Sequence, residues 1–133
     1  KGLCKFLDKH KCNFQIISSD ENQHQSIQQA LDAAMAAHGV PDIVIGTNDR
    51  LAYVAYRHLT DNGHRVPDDI GITGFNAFDT NAALQPVLES VHSPAYALGQ
   101  TGGQALLSRL ENGHFEFNTL VLPVLPAAGT TLR

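Results

Sequence analysis

The sequence predicts an α/β fold with a parallel sheet and helices on both faces. Three observations carry this. Short apolar runs of strand length, clearest at 42–46 (DIVIG) and 70–75 (IGITGF), alternate with stretches of helical periodicity. The connections between them are short, so successive strands are joined by crossover helices in βαβ units. The DIVIG run is continuously apolar, as in strands buried on both faces.

Taken in order, Leu3, Phe6 and Leu7 fit about one and a half helical turns before Asn13, and 14–17 (FQII) reads as a short strand. Over 22–38, Ile27, Ala30, Leu31, Ala34 and Met35 repeat at helical spacing, and Gly39 followed by Pro41 is a stop signal. The strand 42–46 ends abruptly in Thr47-Asn48-Asp49. Leu51, Val54, Ala55, His58 and Leu59 then trace a helix that closes at Asn62-Gly63. Asn48 suits the N-cap, accepting from an otherwise orphaned N–H, and Asp49 suits the positive helix end. The strand 70–75 is followed by a loop rich in Asn, Asp and Ala up to Pro86, then by a strand over 88–92.

Ser93-Pro94 starts a further helix, with Ser as cap and Pro in the first position, and Asn112-Gly113 ends it. Gly99, Gly102 and Gly103 inside it each cost about 1 kcal/mol against Ala, which implies a backbone packed closely on another surface. The run 120–125 (LVLPVL) reads as a strand that Pro123 confines to a sheet edge or a crossing segment.

A chain of 133 residues, 43% hydrophobic and 17% charged, is an ordinary globular domain that buries about two-thirds of its unfolded surface. No apolar run reaches membrane-spanning length, and nothing at the start reads as a signal peptide, so a cytoplasmic protein is expected. The opening Lys1-Gly2-Leu3, already in a helical pattern and without Met, reads as part of a longer protein. Cys4 and Cys12 have no partner spacing for zinc or a redox pair. With nine Lys and Arg and a net charge of −4, the chain by itself lacks the basic stripe that a duplex requires.

Catalysis finds little support. His10, His24, His38, His58, His64, His92 and His114 show no metal-ligand spacing, and there is neither a nucleophile elbow nor a P-loop. Gly71-Ile72-Thr73-Gly74 belongs to a strand rather than to a phosphate cradle, and Asp68-Asp69 to a solvated turn. No enzyme, cofactor or metal is expected. Binding is better supported. Thr47-Asn48-Asp49 and Asn76 with Asp79 follow two parallel strands, at the carboxyl edge where open α/β sheets take ligands. Fixed donors and acceptors there suit a polyhydroxylated molecule, a sugar or a nucleoside.

Asn48-Asp49-Arg50-Leu51-Ala52, then Gly63-His64-Arg65-Val66-Pro67-Asp68-Asp69-Ile70, then Gly74-Phe75-Asn76 resembles the lactose/galactose repressor family of bacterial transcription regulators. Ser93-Pro94-Ala95-Tyr96-Ala97-Leu98-Gly99, Leu122-Pro123 and Gly129-Thr130-Thr131 extend the likeness, in the family's order, over nearly the whole chain.

The resemblance implies one lobe of a two-lobed, periplasmic-binding-protein-like (type I) core, serving dimerisation and the binding of a sugar or sugar-phosphate effector over residues 1–133. The helix of 93–112 would cross to a second lobe, its Leu98, Leu106 and Leu110 stripe being exposed without it. Operator DNA would be read only by a helix-turn-helix head outside this chain. Asn48 matches the family's sugar-contacting Asn, Asn76 an Asp that bonds sugar hydroxyls, and Asn22 a pocket-wall position. Asn76 departs from the family in replacing an acceptor-only group by a mixed donor and acceptor. Tyr53, Val54 and Arg57, with Thr80, Asn81 and Leu84, would form a homodimer interface. A sugar-binding protein of a transport system is the alternative, and an enzyme on a flavodoxin-like scaffold a third.

Overall fold

The computed structural model describes residues 2–18, 24–77, 87–115, 117 and 119–133. It divides into two compact units, Lys1–Val40 and Pro41–Arg133.

The first unit holds helix α1 (Gly2–Lys9) and helix α2 (His24–His38). No residue of α1 is buried; it stops where Lys11 takes φ 55° and the Cys12 N–H donates to the Leu7 carbonyl at 3.0 Å. In α2, Ile27 and Leu31 are the buried positions, four apart as the periodicity predicts. Gly39, at φ +88°, donates its N–H to the Met35 carbonyl at 2.8 Å and ends the helix as expected. The predicted strand at 14–17 is not formed. Phe14, Ile16 and Ile17 are exposed, and the segment joins no ladder among the described residues. A strand exists only by pairing, so an apolar run without a partner stays irregular.

In the second unit, strand β1 (Ile43–Ile45), helix α3 (Asp49–Asp61) and strand β2 (Gly71–Thr73) form the predicted parallel βαβ unit, with Val44 opposite Ile72. Helix α3 packs on both strands. Ala52, Ala55 and Leu59, at helical spacing on its inner stripe, are buried, as are Ile70, Ile72 and Leu88. Gly46 permits the close approach of strand to helix: a Cβ there would lie 2.8 Å from the Ala52 nitrogen and 2.9 Å from its Cβ.

The expectation that DIVIG is buried on both faces is corrected. Ile43 and Ile45 are each nearly half exposed. The described ladder pairs β1 with β2 on one side only, and the two isoleucines share a face left partly open.

Strand β3 (Ser90–His92) lies parallel beside β2 through bridges at Thr73–Glu89 and Asn76–His92. Strand β4 (Leu125–Ala127) then pairs antiparallel with β3, so the expected parallel sheet gains an antiparallel member. This strand falls later than the predicted 120–125 and contains Pro126 rather than Pro123. The edge argument carries over, because a proline without an N–H is tolerated on an outer strand.

Helix α4 (Ala95–Asn112) ends at Gly113, φ 79°, as predicted. Its start differs. The Ser93 side chain makes no cap; Pro94 occupies the cap position with ψ 61°, and the Ser93 carbonyl accepts from the Ala95 N–H at 2.8 Å. Among the described residues nothing lies within 4 Å of a Cβ at Gly99, Gly102 or Gly103, so the close approach expected of these glycines is not made within this chain. No residue of α4 is buried, and Leu98, Leu106 and Leu110 are more than half exposed. Gly102 and Ala105 do line a groove of about 340 Å³ with Phe115, Phe117, Thr119 and Leu120.

Candidate functional site

The loops that follow β1 and β2 meet at the carboxyl edge of the sheet. Asn48 is extended, at φ −150°, and its Oδ1 accepts from the Leu51 N–H at 3.0 Å, which caps α3. Its Nδ2 donor has no partner among the described residues, and the side chain is half-buried. The same asparagine therefore both caps the helix and presents a hydrogen-bond donor at the strand end.

The neighbouring Asp49 N–H donates to the Phe75 carbonyl at 3.0 Å, one residue before Asn76. Asn48 and Asn76 thus flank one backbone hydrogen bond between the two loops, the juxtaposition that their positions after parallel strands predicted. Asn76 takes φ 103° and Ala77 φ 44°, a left-handed region in which Asn is tolerated better than most side chains. Its N–H donates to the Val91 carbonyl at 2.9 Å, and its carbonyl accepts from Ser93 at 3.3 Å. The backbone of Asn76 is consequently pinned to β3, while its half-buried side chain is the part available for recognition.

The sequence places Asp49 at the positive helix end and in the polar cluster open to a ligand. The structure places its side chain inward, 2% exposed, where it accepts from Ser90 Oγ of β3 at 2.5 Å. A Cβ on Gly74 would fall on the Asp49 Oδ1 and lie 2.9 Å from Leu88 Cδ2. Nothing in the spacing of Asp49 and Ser90, 41 residues apart, signals this pair. Of the other expected positions, Asn22, Thr80, Asn81, Leu84 and Asp79 lie outside the described residues.

On α3, Tyr53 and Val54 are half-buried and Arg57 is exposed. Burial pushes the Tyr53 phenol above the ordinary tyrosine pKa; its hydrogen bond to the Leu88 backbone pulls the other way, and the nearby Asp49 charge adds to the rise. Among the described residues no three His, Cys, Asp or Glu side chains group as a metal site, and no helix is long and apolar enough to cross a membrane. Asp68 and Asp69 are exposed, as a solvated turn requires, and Asp69 grips Arg65 through a fork of side-chain bonds at 2.6 and 3.1 Å.

Residues 6–131 match the model of the periplasmic binding protein-like domain. The ribose operon repressor of Bacillus subtilis is 25% identical over 132 residues, which are 99% of this chain and 40% of the repressor. The HTH-type transcriptional regulator IdnR of Escherichia coli is 32% identical over 137 residues, again 99% of this chain and 40% of that protein. The dimeric Lac repressor with an 11-residue C-terminal deletion superposes with a TM-score of 0.81 at 27% identity, covering 98% of this chain and 48% of that one. The chain thus spans less than half the length of the relatives it matches. These relatives are regulators, which favours the regulator reading over a transport binding protein. The fold, the strand-end loops and the matches together establish that this chain belongs to the periplasmic binding protein-like domain family, in the form found as the effector-binding domain of lactose/galactose-repressor-type regulators.

Proposed function

We propose that this chain binds a sugar effector for a dimeric, cytoplasmic transcription regulator and carries out no catalysis itself. The observation that supports this most directly is the pairing of Asn48 and Asn76 across the Asp49-to-Phe75 hydrogen bond. It sets two amide side chains, each able to donate and accept, at one strand edge. Sugar hydroxyls need such mixed partners, and the name of the Bacillus subtilis relative associates that protein with ribose. Operator DNA would be read by a head outside this chain. Effector binding would shift the regulator between states of different DNA affinity, an ordinary linkage of two equilibria.

Calorimetry on the full-length protein with a panel of monosaccharides, ribose first, tests this. Saturable binding that weakens in Asn76→Ala is expected. Binding indifferent to both Asn48 and Asn76, or no binding across the panel, would contradict it.

A further inference from the structure

Among the described residues of this unit, Asp49 is the buried acidic side chain. An acidic residue in the first helical turn ordinarily sits in water, where its gain from the helix dipole is modest. Here it is 2% exposed, and a buried carboxylate is costly unless it is hydrogen-bonded. It accepts a hydrogen bond from Ser90 Oγ, itself on a residue only 3% exposed. Gly74 leaves room for the carboxylate, since a side chain there would occupy the position of Asp49 Oδ1. The three residues come from α3, the end of β2, and β3.

Their neighbours are the two asparagines. Asp49 follows Asn48 in the chain, and its N–H holds the Phe75 carbonyl beside Asn76. Ser90 precedes Val91, whose carbonyl holds the Asn76 N–H. One buried side-chain bond therefore spans the backbone that carries both recognition groups.

We infer that Asp49 is a positioning residue: anchored by Ser90, it fixes the Asn48 and Asn76 loops relative to each other without itself contacting effector. The inference rests on the reading of Asn48 and Asn76 as the effector site. Its physical core is tested without ligand, so the two fail separately.

Hydrogen–deuterium exchange of the ligand-free, full-length protein is the experiment, with the Ile72 amide, bonded to the Thr131 carbonyl at 2.7 Å, as internal reference. In Ser90→Ala and in Asp49→Ala, the hydrogen-bonded amides of residues 49, 51, 74 and 76 are expected to exchange about tenfold faster or more relative to Ile72, the loss of at least one charge-assisted bond. Asp49→Asn, isosteric and still able to accept from Ser90, is expected to stay within about threefold of the unaltered protein. An equal acceleration at Ile72 would mean that the pair supports the fold generally, and overturns the inference. So would unchanged exchange in the loops, or an Asp49→Asn variant that behaves like Asp49→Ala.

Discussion

At the scale of single residues, Asn48 holds two polar groups that chemistry can separate. Its Oδ1 caps α3 and its Nδ2 is left over. Asn48→Ser keeps a capping oxygen but is too short to offer the second group, whereas Asn48→Ala removes both. Thermal unfolding is expected to show a loss of about 1 kcal/mol for Ala and little for Ser. Both variants should weaken sugar binding by about three- to tenfold, the worth of one neutral hydrogen bond. A Ser variant that binds as well as the unaltered protein would reduce Asn48 to a helix cap. The Arg65–Asp69 pair gives a second residue-scale test. Its hydrogen bonds hold the Asp69 carboxyl down from 3.8 to about 2. Because the folded-state value is depressed, whatever the pair contributes is complete above 3.8 and disappears as pH falls through about 2. Carbon NMR titration should place the Asp69 midpoint near 2, and Arg65→Gln should raise it toward the ordinary value.

At the scale of elements, the C-terminal tail joins two strands by a side chain. Thr131, fully buried, donates from Oγ1 to the Ile72 carbonyl at 2.7 Å and accepts from the Glu89 N–H at 2.9 Å. Thr131→Val preserves shape but strands the buried Ile72 carbonyl, at about 1–3 kcal/mol, and the part-buried Glu89 N–H. Denaturant unfolding should register a loss of about 2 kcal/mol or more; an unchanged midpoint would mean that water replaces the hydroxyl. This link was illegible in the sequence, where Thr130-Thr131 served only as part of a resemblance. The reason is general. Helix α3 was readable because its cap, its stripe and its stop all lie within a few residues of one another. Asp49–Ser90 and Thr131 depend on partners some 40 to 60 residues away. The same limit explains the misreading of 14–17 and of the tail, since local pattern shows that a segment is apolar but not whether a neighbouring strand awaits it. The α4 glycines are a different case, since the close contact that composition suggests is not made among the described residues of this chain.

At the scale of the whole molecule, association turns on the outer part of α3. The placement of the candidate site was half legible: the loops of Asn48 and Asn76 meet through one backbone bond, as their strand-end positions predicted, whereas Asn22, Thr80, Asn81 and Leu84 fall outside the described residues. Tyr53 is a poor probe of a dimer because it already serves its own chain, through the Leu88 backbone. Val54 and Arg57 are better, being half-buried and exposed on the same helix. If α3 pairs with its two-fold mate, each substitution enters the interface twice, so a charge at either position is doubled and desolvated. Val54→Asp and Arg57→Glu in the full-length protein are therefore expected to sediment as monomers, with unfolding midpoints close to that of the monomeric fraction of the unaltered protein at high dilution. Both variants sedimenting as dimers would move the interface off α3. Monomers that also lose sugar affinity would couple the interface to Asn48, which caps the same helix about two turns earlier.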